Sequence, residues 1–298
     1  MNKEVRRLLL AALERIVPVV PIPDRLYLKI KYYLRMGKRL NLDNPQTFNE
    51  KLQWLKLYGR RPIDTVLSDK YAVKDYITKT IGAQYVIPLL GVWDKFEDID
   101  FSKLPNQFVL KCTHDSGGIV ICKDKSTLDV RAAREKLNKT LKTDYYVYSR
   151  EKAYKGIPRR IIAEEYMEDS DCAELRDYKF FCFNGEVKYF KIDFGRFTEH
   201  HANYYSPNGD LLDLAETPYP PVPNADIHLP VNLNKMVELA NKLSQGTLFV
   251  RVDFYEVSGI VYFGEFTFSP TGGMTPYKPD GWDKTIGEWI TLHINKEK

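Results

Sequence analysis

The sequence has little of what marks several specialised classes of protein. It contains four cysteines in 298 residues, and no two of them form a C-x-x-C pair, which argues against a zinc knuckle or a redox motif. We expect reduced thiols in the core instead. The four are Cys112, Cys122, Cys172 and Cys182. Glycine and proline, at 17 residues each, are too few for a collagen-like or disordered chain.

Long apolar runs are also missing from the sequence. No stretch of 18 apolar residues occurs, so no membrane-spanning helix is predicted. The longest apolar run near the start covers residues 8–13, after Arg6 and Arg7, and no small-residue cleavage pattern follows it. Because this run is too short for a signal peptide, we expect a cytoplasmic protein.

The sequence has an ordinary globular composition, with 44% hydrophobic and 28% charged residues. A chain of this length has room for a full core and for two lobes. The net charge of +4 is unevenly placed, because residues 1–60 hold 13 Lys and Arg against 5 Asp and Glu. The N-terminal segment therefore carries +8 and the remainder −4.

The N-terminal segment has the pattern of basic amphipathic helices. Residues 5–16 place apolar side chains at helical spacing and end before Pro18. In residues 25–39, here called the basic segment, cations alternate with leucine, isoleucine and tyrosine. Its cations are Arg25, Lys29, Lys31, Arg35, Lys38 and Arg39. This composition fits an anionic membrane surface or another polyanionic partner, and it equally fits a solvated face of a helix packed against the core.

Helical and strand patterns then follow in an irregular order. Thr47 and Glu50 form a capping box that opens a helix ending at Gly59. Further helical patterns cover residues 69–80, 130–141 and 233–243, and strand patterns cover residues 108–112, 118–122, 161–166, 178–183, 187–194, 248–255 and 260–268. Because helices and strands do not alternate regularly, the sequence predicts an α+β fold.

A lysine in a strand and a glycine loop form the first candidate site. Residues 108–112 have the pattern of a buried strand that carries Lys111, and the loop with Gly117 and Gly118 turns back into a second strand. Backbone N–H groups in such a loop can hold phosphate oxygens, and the lysine can neutralise them. The loop lacks the G-x-x-x-x-G-K-[ST] spacing, which excludes a P-loop. A purely structural hairpin turn is the alternative.

The second candidate site combines carboxylates with a lysine in an aromatic strand. An apolar strand ends in Glu164, Glu165 and Tyr166, where exposed backbone can hydrogen-bond an adenine edge and a carboxylate can bind ribose hydroxyls. Acidic residues at the solvated end of a strand are the alternative. Further on, Lys179 lies in an aromatic strand before an Asn-Gly hairpin turn. A lysine flanked by four aromatic residues needs an anionic partner.

The third candidate site, on two neighbouring strands near the C-terminus, is the strongest. The period of two places Arg251 and Asp253 on one face of the first strand. If the next strand pairs with it in antiparallel fashion, Glu265 and Thr267 come within reach of the same face. Oxygen ligands from neighbouring strands suit Mg²⁺, which retains waters and bridges substrate phosphates. The arginine beside them could bind a phosphoryl group during its transfer.

Taken together, these segments resemble the ATP-grasp superfamily. The shared pattern is a lysine strand with a glycine hairpin, an apolar strand ending in Glu-Glu-Tyr, and an R-x-D strand followed by Glu-x-Thr and a Pro-Gly loop. Residues 177–180 and 264–270, with residues 49–54 and 69–71 upstream, look like the teichuronopeptide-biosynthesis branch, known as TupA-like. The resemblance runs from about Leu40 to the C-terminus.

The resemblance implies a role for each candidate residue. The residues that would contact ATP are Lys111, His114, Ser116, Gly117, Gly118, Glu164, Glu165, Tyr166 and Lys179. The implied catalytic residues are Lys111, Lys179 and Arg251, with Arg251 on the transferred phosphate. Asp253 and Glu265 would be magnesium ligands. Thr267 stands where many ATP-grasp ligases have Asn, and its hydroxyl can still supply an oxygen to the metal.

The superfamily's usual chemistry activates a carboxylate as an acyl phosphate, which an amine then attacks. Positioning and charge neutralisation supply most of the catalysis, so no nucleophile paired with a histidine is required. The cofactors implied are ATP and Mg²⁺. Because the resembled branch is associated with bacterial surface polysaccharides, the implied carboxylate is a uronic acid or other saccharide acid, and the implied amine is an amino acid.

The resemblance also implies a fold of two α+β lobes that grip ATP. We expect a basic helical segment over residues 1–60 and a catalytic region over residues 61–298. Within that region, residues 105–165 would form a smaller lobe with the glycine hairpin, and residues 166–298 a larger lobe with the metal site. If the basic segment binds anionic lipid, the protein would contact the inner face of the membrane.

Other functions remain open from the sequence alone. A glycosyltransferase would use the D-x-D tripeptide at residues 169–171 to hold the metal ion of a nucleotide sugar, and a kinase would use the same ATP site to phosphorylate a sugar hydroxyl. A membrane- or nucleic-acid-binding module would rest on the basic segment alone, and the missing nucleic-acid motifs argue against a nucleic-acid partner. His200 and His201 could serve the acceptor side, although a surface loop with incidental histidines is favoured.

Overall fold

The structure is a computed structural model that describes residues 1–168, 175–195, 198–225 and 227–294. The helices are α1 (Lys3–Ile16), α2 (Asp24–Met36), α3 (Phe48–Tyr58), α4 (Ile63–Ser68), α5 (Ala72–Thr80), α6 (Val130–Lys142), α7 (Tyr145–Ser149), α8 (Leu233–Leu243) and α9 (Trp282–Glu288). The strands are β1 (Leu89–Trp93), β2 (Phe108–Cys112), β3 (Ile119–Cys122), β4 (Ile161–Glu165), β5 (Asp177–Phe183), β6 (Glu186–Phe194), β7 (His201–Tyr205), β8 (Ala215–Glu216), β9 (Phe249–Val257), β10 (Ile260–Thr267) and β11 (Tyr277–Lys278). Each helix and strand predicted from the sequence corresponds to one of these elements. Cys172 and the D-x-D tripeptide lie outside the described residues.

The smaller sheet has the strand order β1-β4-β2-β3, with antiparallel neighbours. Alternate side chains of β2 and β4, such as Leu110 and Ala163, pack with Leu137 of α6 in a buried apolar cluster. The other face of the same strands carries Lys111 and Glu164, because successive side chains of a strand point to opposite faces. The hairpin predicted around the glycine loop is confirmed, since Lys111 pairs with Ile119 across the turn.

The larger sheet has the order β10-β9-β5-β6-β7, also antiparallel. One face packs on α8, where Phe180, Val252 and Leu239 belong to one buried cluster. The opposite face is apolar at one end, where Phe181 and Phe48 contribute to a second cluster with α3 and α9. Burial of an aromatic or aliphatic side chain contributes about 1.5–3 kcal/mol, so these two clusters hold the sheet rigidly between helices.

The remaining part of that second face is charged. Strand register places Glu265 opposite Asp253, Asp253 opposite Lys179, and Lys179 opposite Lys191. The register of β10 shifts between Phe263 and Glu265, at the position of a bulge. Bulges are frequent beside functional sites because they redirect a side chain. The row of charges crosses four strands at one end of the larger sheet.

The N-terminal helices lie against this body. In α2 the side chains of Tyr27, Leu28 and Tyr32 are buried with Leu42 and Met274, whereas α1 has no buried residue. The basic segment is therefore a helix whose apolar stripe packs against the core, as one of its two interpretations predicted. None of the helices in the described part of the chain has the length and apolar composition needed to span a bilayer.

Candidate active site

The third candidate site is assembled as the strand periodicity predicted. Arg251 donates from Nε and Nη2 to the two oxygens of Asp253, at 2.7 and 2.6 Å. Its Nη2 also reaches Thr267 Oγ1 at 2.9 Å and Glu265 Oε1 at 3.3 Å, and the Thr267 hydroxyl donates to Glu265 Oε1 at 3.2 Å. Asp253 is 1% exposed, while the Glu265 side chain is 45% exposed. Glu265 is thus the carboxylate of this group that can meet a ligand directly.

Lys179 finds its anionic partners within the protein. Its ammonium lies 2.8 Å from Asp177, 3.2 Å from Asp253 and 3.6 Å from Asp193. Burial alone lowers the pKa of a lysine, but these carboxylates outweigh burial and raise the pKa of Lys179 above its ordinary value. The charged lysine therefore lies beneath Asp253, where it helps to fix that carboxylate.

Lys111 and Glu164 meet on the inner face of the smaller sheet, with a third partner from α5. Glu164 lies 2.5 Å from Lys111 Nζ and 2.5 Å from Lys74 Nζ. Burial raises the pKa of Glu164, but the two ammonium groups outweigh it and leave that pKa below its ordinary range. Burial likewise lowers the pKa of Lys74, with Glu164 opposing. The three side chains form a buried group with one positive charge in excess.

This group faces the larger sheet across a cavity of about 70 Å³, here called the interlobe cavity. Its wall from the smaller lobe includes Lys74, Lys111 and Glu164, and its wall from the larger lobe includes Phe263 and Glu265. The first and third candidate sites therefore share one cavity, although they lie more than a hundred residues apart in sequence. Apolar walls with a few converging charges are typical of a ligand site between lobes.

The glycine loop closes one end of the smaller sheet. Asp115 Oδ2 accepts a hydrogen bond of 2.7 Å from the backbone N–H of Gly118, and Lys70 Nζ donates to the backbone oxygen of Asp115. A Cβ on Gly118 would lie 2.6 Å from Thr140 Cγ2, so only glycine fits there without displacement. Gly117 has open space around its Cα, with φ of 156°. The glycine loop is thus fixed by these two hydrogen bonds, while the space beside Gly117 is open.

Among the residues implied to contact ATP, His114, Glu165 and Tyr166 line neither the interlobe cavity nor the polar cavity described next. His114 is buried, with Nε2 3.2 and 3.3 Å from the carbonyl oxygens of Thr140 and Thr143, so that nitrogen is the donor. Burial lowers the pKa of His114, which favours the neutral ring. Glu165 is exposed, and Tyr166 lies under the ammonium of Lys123 at 5.8 Å. A role for these three side chains in nucleotide binding stays a prediction.

A larger, more polar cavity of about 310 Å³ adjoins the third candidate site. This acceptor-side cavity, as it is called below, is reached by Arg251, Glu265 and Thr267 from the larger sheet and by Ser116 from the glycine loop. Further parts of its wall come from the loop after β10 (residues 269–274) and from α2, α3 and the segment around α7. Those residues include Lys31, Arg35, Lys56, Tyr145, Tyr148, Glu151 and Tyr154. Glu265 lines both cavities and marks their junction.

The donor set at this junction fits Mg²⁺. Asp253, Glu265 and Thr267 offer hard oxygens from two paired strands, as a magnesium ion requires. Within the described residues no group of three or more His, Cys, Asp or Glu side chains could hold a metal alone. This agrees with an ion that takes its other ligands from water and substrate phosphates rather than from a protein cage.

The histidine pair is only partly a surface loop. His201 begins strand β7 and its Nδ1 donates to the Pro220 carbonyl oxygen at 2.9 Å, so the loop interpretation is wrong for that residue. His200 lies 3.1 Å from Asp193 Oδ1 and 4.3 Å from the Tyr219 ring. The sequence did not predict this edge strand, because its start at the two histidines lacks the alternating apolar pattern that indicates a strand. Neither ring lines the interlobe or the acceptor-side cavity.

The sequence alone did not reveal several cavity residues. Lys74, Lys56 and Glu151 come from helices or loops that fold over the sheets, and no motif connects them with the strand residues they meet. The basic segment gave one usable signal, because six cations alternate there with apolar and tyrosine residues. Two of them, Lys31 and Arg35, line the acceptor-side cavity.

Two antiparallel sheets that face each other across a cleft of lysines and carboxylates, with a glycine hairpin at its edge, define the ATP-grasp fold. The family described as TupA-like ATPgrasp matches residues 50–291. The chain therefore belongs to that family, and the expected α+β fold of the ATP-grasp type is confirmed. The match begins after α2, so the N-terminal helices lie outside it.

Solved structures with a similar fold include several ligases. The D-alanine–D-alanine ligase of Bacillus anthracis is 17% identical, with 68% of this chain and 57% of that chain covered and a TM-score of 0.39. The D-alanine–D-alanine ligase of Helicobacter pylori is 13% identical, with 76% of this chain and 63% of that chain covered and a TM-score of 0.41. The L-amino acid ligase of Bacillus licheniformis is 14% identical, with 73% of this chain and 45% of that chain covered and a TM-score of 0.42. The chain thus aligns with about half to two thirds of each enzyme. No curated protein matches the chain.

Proposed function

We propose that the protein is an ATP- and Mg²⁺-dependent ligase that joins a carboxylate to an amine and forms ADP. The observation that carries this proposal is the position of Glu265 at the junction of two cavities. On one side lies the Lys74–Glu164–Lys111 group, suited to a nucleotide phosphate. On the other side lies a roomy polar cavity suited to an acceptor. A phosphoryl group would pass from one side to the other at this carboxylate.

The proposed reaction has two steps. A carboxylate oxygen of the acceptor attacks the γ-phosphorus of ATP, the bond to ADP breaks, and an acyl phosphate forms. The amine nitrogen then attacks the acyl carbon, and inorganic phosphate leaves with the electrons of the C–O bond. Arg251 and Lys111 are placed to neutralise the transferred and leaving oxygens, which is the main requirement of phosphoryl transfer.

Magnesium would be held by oxygens of Asp253, Glu265 and Thr267. When bound there, it would neutralise charge on the ATP phosphates. The internal hydrogen bonds of Arg251 and Lys179 keep Asp253 in place before the ion arrives. Because Asp253 is buried and already paired with two cations, Glu265 is expected to be the stronger contributor to metal affinity.

The acceptor proposed is a saccharide that carries a carboxylate, such as a uronic acid in a bacterial surface polysaccharide or its precursor, and the amine proposed is that of an amino acid. The acceptor-side cavity supports this choice with cations and tyrosine rings together. Lys31 is tied to the Tyr148 carbonyl oxygen at 2.8 Å and to Glu14 at 3.2 Å. Arg35 makes no ion pair with any residue of the described chain and is available to an anion.

The decisive test incubates the protein with ATP, Mg²⁺, uronic acids and amino acids, and separates the nucleotide products. Amine-dependent release of ADP and phosphate with an amide product would support the ligase. A stable phosphorylated acceptor formed without amine would identify a kinase instead. Release of UDP from a sugar nucleotide, with no need for ATP, would identify a glycosyltransferase.

A pair of variants ties the activity to the proposed site. Glu265→Gln should lose ATP turnover by about 100-fold or more while its thermal unfolding stays close to that of the parent, because the side chain is half-exposed. Glu186→Gln is the control, since Glu186 is an exposed glutamate at the start of β6 and pairs with nearby Lys188. Equal turnover by Glu265→Gln and the parent would refute the metal assignment.

We further propose that the protein works at the cytoplasmic face of the membrane, where a lipid-linked saccharide would be presented. Support comes from the surface of α1 and the basic segment. Exposed apolar side chains there lie among cations, a combination that favours anionic lipid. Leu8 of α1 is 63% exposed and Leu26 of the basic segment is 51% exposed, and Val19 in the connection between them is 79% exposed.

A further inference from the structure

A buried carboxylate, Glu151, has no part in the reaction described above. It lines the acceptor-side cavity together with Glu265 and Thr267. It also lines a separate cavity of about 220 Å³, here called the lateral cavity, which the segment near α4 and Phe249 enclose on the other side. Lys56 and Ser269 line both cavities as well. These three side chains form the wall between the lateral cavity and the acceptor-side cavity.

The contacts of Glu151 fix the position of its carboxylate in this wall and shift its pKa. The Ser269 side chain hydrogen-bonds it, and the ammonium of Lys56 lies nearby, held by the carbonyl oxygens of Gly272 at 2.7 Å and Ser149 at 3.2 Å. Burial raises the pKa of Glu151, with Lys56 and Ser269 opposing. Burial also lowers the pKa of Lys56 to about 8. Burial thus brings the pKa values of the two groups closer together than in an exposed Lys–Glu pair.

Charged and titratable groups approach Glu151 from each neighbouring element. In the acceptor-side cavity they are Lys31, Arg35, Lys56, Tyr145, Tyr154 and Glu265, and in the lateral cavity they are Arg60, Arg61, Asp64 and Lys152. Both tyrosines have a raised pKa, chiefly through burial, and stay neutral. Glu151 and Glu265 are the two carboxylates that line the acceptor-side cavity, and only Glu151 also lines the lateral cavity.

We propose that Glu151 binds the ammonium group of the amine substrate, which enters through the lateral cavity, and removes its proton as the nitrogen attacks. This inference rests on the proposed ligase function and assigns the base that such a ligase needs. A protonated amine has no lone pair, so it cannot attack an acyl phosphate. The wall position lets one carboxylate receive the amine from one cavity and direct it to the acyl carbon in the other.

The proposed step is balanced. The nitrogen forms a bond to the acyl carbon, the bond from that carbon to the phosphate oxygen breaks, and inorganic phosphate leaves with the electron pair. The ammonium loses one proton to a Glu151 oxygen, which later releases it to water, and the departing phosphate takes up the second proton that the nitrogen loses. No oxidant, reductant or further reactant is required.

Hydroxylamine separates this step from the earlier phosphorylation. It is largely unprotonated near neutral pH and traps an acyl phosphate as a hydroxamate without a base. Glu151→Gln should therefore form hydroxamate at nearly the parent's rate, with ADP release to match. With an amino acid as the amine, the same variant should lose about 100-fold or more of its rate.

The pH profile gives a second readout that a merely structural role would not move. The parent's amide-forming rate should fall as pH drops through the pKa of Glu151. The variant's rate should instead rise with the fraction of free amine, by about tenfold per pH unit below the amine's own pKa. Glu151→Asp should restore part of the parent profile.

The control is Asp283→Asn. Burial also raises the pKa of Asp283, but this residue lines neither the acceptor-side cavity nor the lateral cavity, so both rates should stay near the parent's. Equal amide formation by Glu151→Gln and the parent would overturn the inference alone, and so would equal loss of hydroxamate and amide in a folded variant. Absence of hydroxamate from the parent would overturn the proposed ligase, and this inference with it.

Discussion

At the scale of single residues, the Glu164 carboxylate between Lys74 and Lys111 is expected to contribute strongly to the stability of the folded protein. Glu164→Gln would leave two ammonium groups, on side chains only 14% and 19% exposed, facing each other without a counter-ion. Breaking a buried pair in this way costs about 3–5 kcal/mol of unfolding free energy, which urea titration would measure. The control is Asp75→Asn, which removes an exposed pair with Lys79 and should cost less than about 0.5 kcal/mol.

The same group predicts how that difference depends on pH. The pKa of Glu164 is lower in the folded protein than in the unfolded chain, so its stabilisation is fully present above the unfolded pKa. It is lost as pH falls through the folded pKa, where the carboxylate takes up a proton. The parent and Glu164→Gln should thus converge in stability in the acid range, below about pH 4. A difference that stays constant as pH falls through that range would contradict the ion-pair explanation.

Thr267 offers a second prediction at this scale. Its hydroxyl accepts from Arg251 and donates to Glu265, so it orients both groups. Thr267→Val keeps the shape but removes the oxygen, and we expect ATP turnover to fall by about tenfold or more while the protein stays folded. Thr267→Ser keeps the oxygen and should retain most activity. Equal activity of the valine and serine variants would show that the hydroxyl has no role.

The sequence correctly predicted those residue positions that follow from the two-residue period of a β-strand. Arg251 and Asp253 share a face because they are two residues apart, and pairing with the next strand brought Glu265 beside them. Lys74 could not be found this way, since its ion pair with Glu164 of the smaller sheet depends on how α5 packs against the larger sheet through Val73 and Ile77. Contacts between a helix and a distant strand leave no spacing signal in the sequence.

At the scale of secondary-structure elements, local patterns were reliable where polar and apolar residues alternate or where a cap is present. The capping box of Thr47 and Glu50 is formed in full, and α8 spans the predicted residues. The Asn184–Gly185 turn has positive φ at both residues, as a tight hairpin requires. The edge strands β1 and β7 were missed, because their partly exposed or mixed sequences lack alternation.

The glycine hairpin is an element whose shape depends on one missing side chain. Gly118→Ala would place a Cβ 2.6 Å from Thr140 Cγ2 and 3.0 Å from Asp115 Oδ2. We expect a loss of about 1–3 kcal/mol in stability, measured by urea unfolding, and weaker ATP binding, measured by calorimetry. Adding Thr140→Ser removes the clashing methyl group and should recover part of both. No recovery in the double variant would place the cause elsewhere than in this contact.

Helix α2 gives a prediction about acceptor binding. Arg35 lies in the acceptor-side cavity without an ion-pair partner among the described residues, so an anionic acceptor would gain a charge-assisted contact there. Arg35→Ala should raise the KM for a uronic acid by about tenfold and leave the KM for ATP unchanged. Lys38→Ala is the matched control, because Lys38 follows the same helix but lines none of the cavities described. An unchanged KM for the acid would exclude Arg35 from acceptor recognition.

At the scale of the whole molecule, the charge asymmetry read from the sequence has a spatial counterpart. The excess of positive charge lies in residues 1–60, and α1 and α2 place it on helices at the edge of the body. From the sequence alone, cations that line a cavity could not be distinguished from cations on the solvated surface. The structure distinguishes them, because Lys31 and Arg35 line the acceptor-side cavity while other cations of the two helices do not.

Membrane contact can therefore be tested with cations that do not line the acceptor-side cavity. Reversal of Arg7, Lys29 and Lys38 to Glu leaves the lining of the acceptor-side cavity intact. Each Lys or Arg near an anionic surface contributes about 1 kcal/mol, so removal of three should weaken cosedimentation with phosphatidylserine vesicles by about 100-fold or more. The binding of the parent should also weaken with salt, because exposed charges are screened over roughly 8 Å at physiological ionic strength. ATP turnover with a soluble acceptor should be unchanged in the triple variant.

An apolar variant completes this test, since charge alone would also draw the protein to any polyanion. Leu8 is 63% exposed on α1, and Leu8→Ser should lower vesicle binding while leaving the salt dependence in place. A protein that only senses charge would bind vesicles equally with either residue. If the parent fails to bind anionic vesicles even at low salt, α1 and α2 serve the acceptor-side cavity alone, and their exposed cations form a solvated surface of the enzyme.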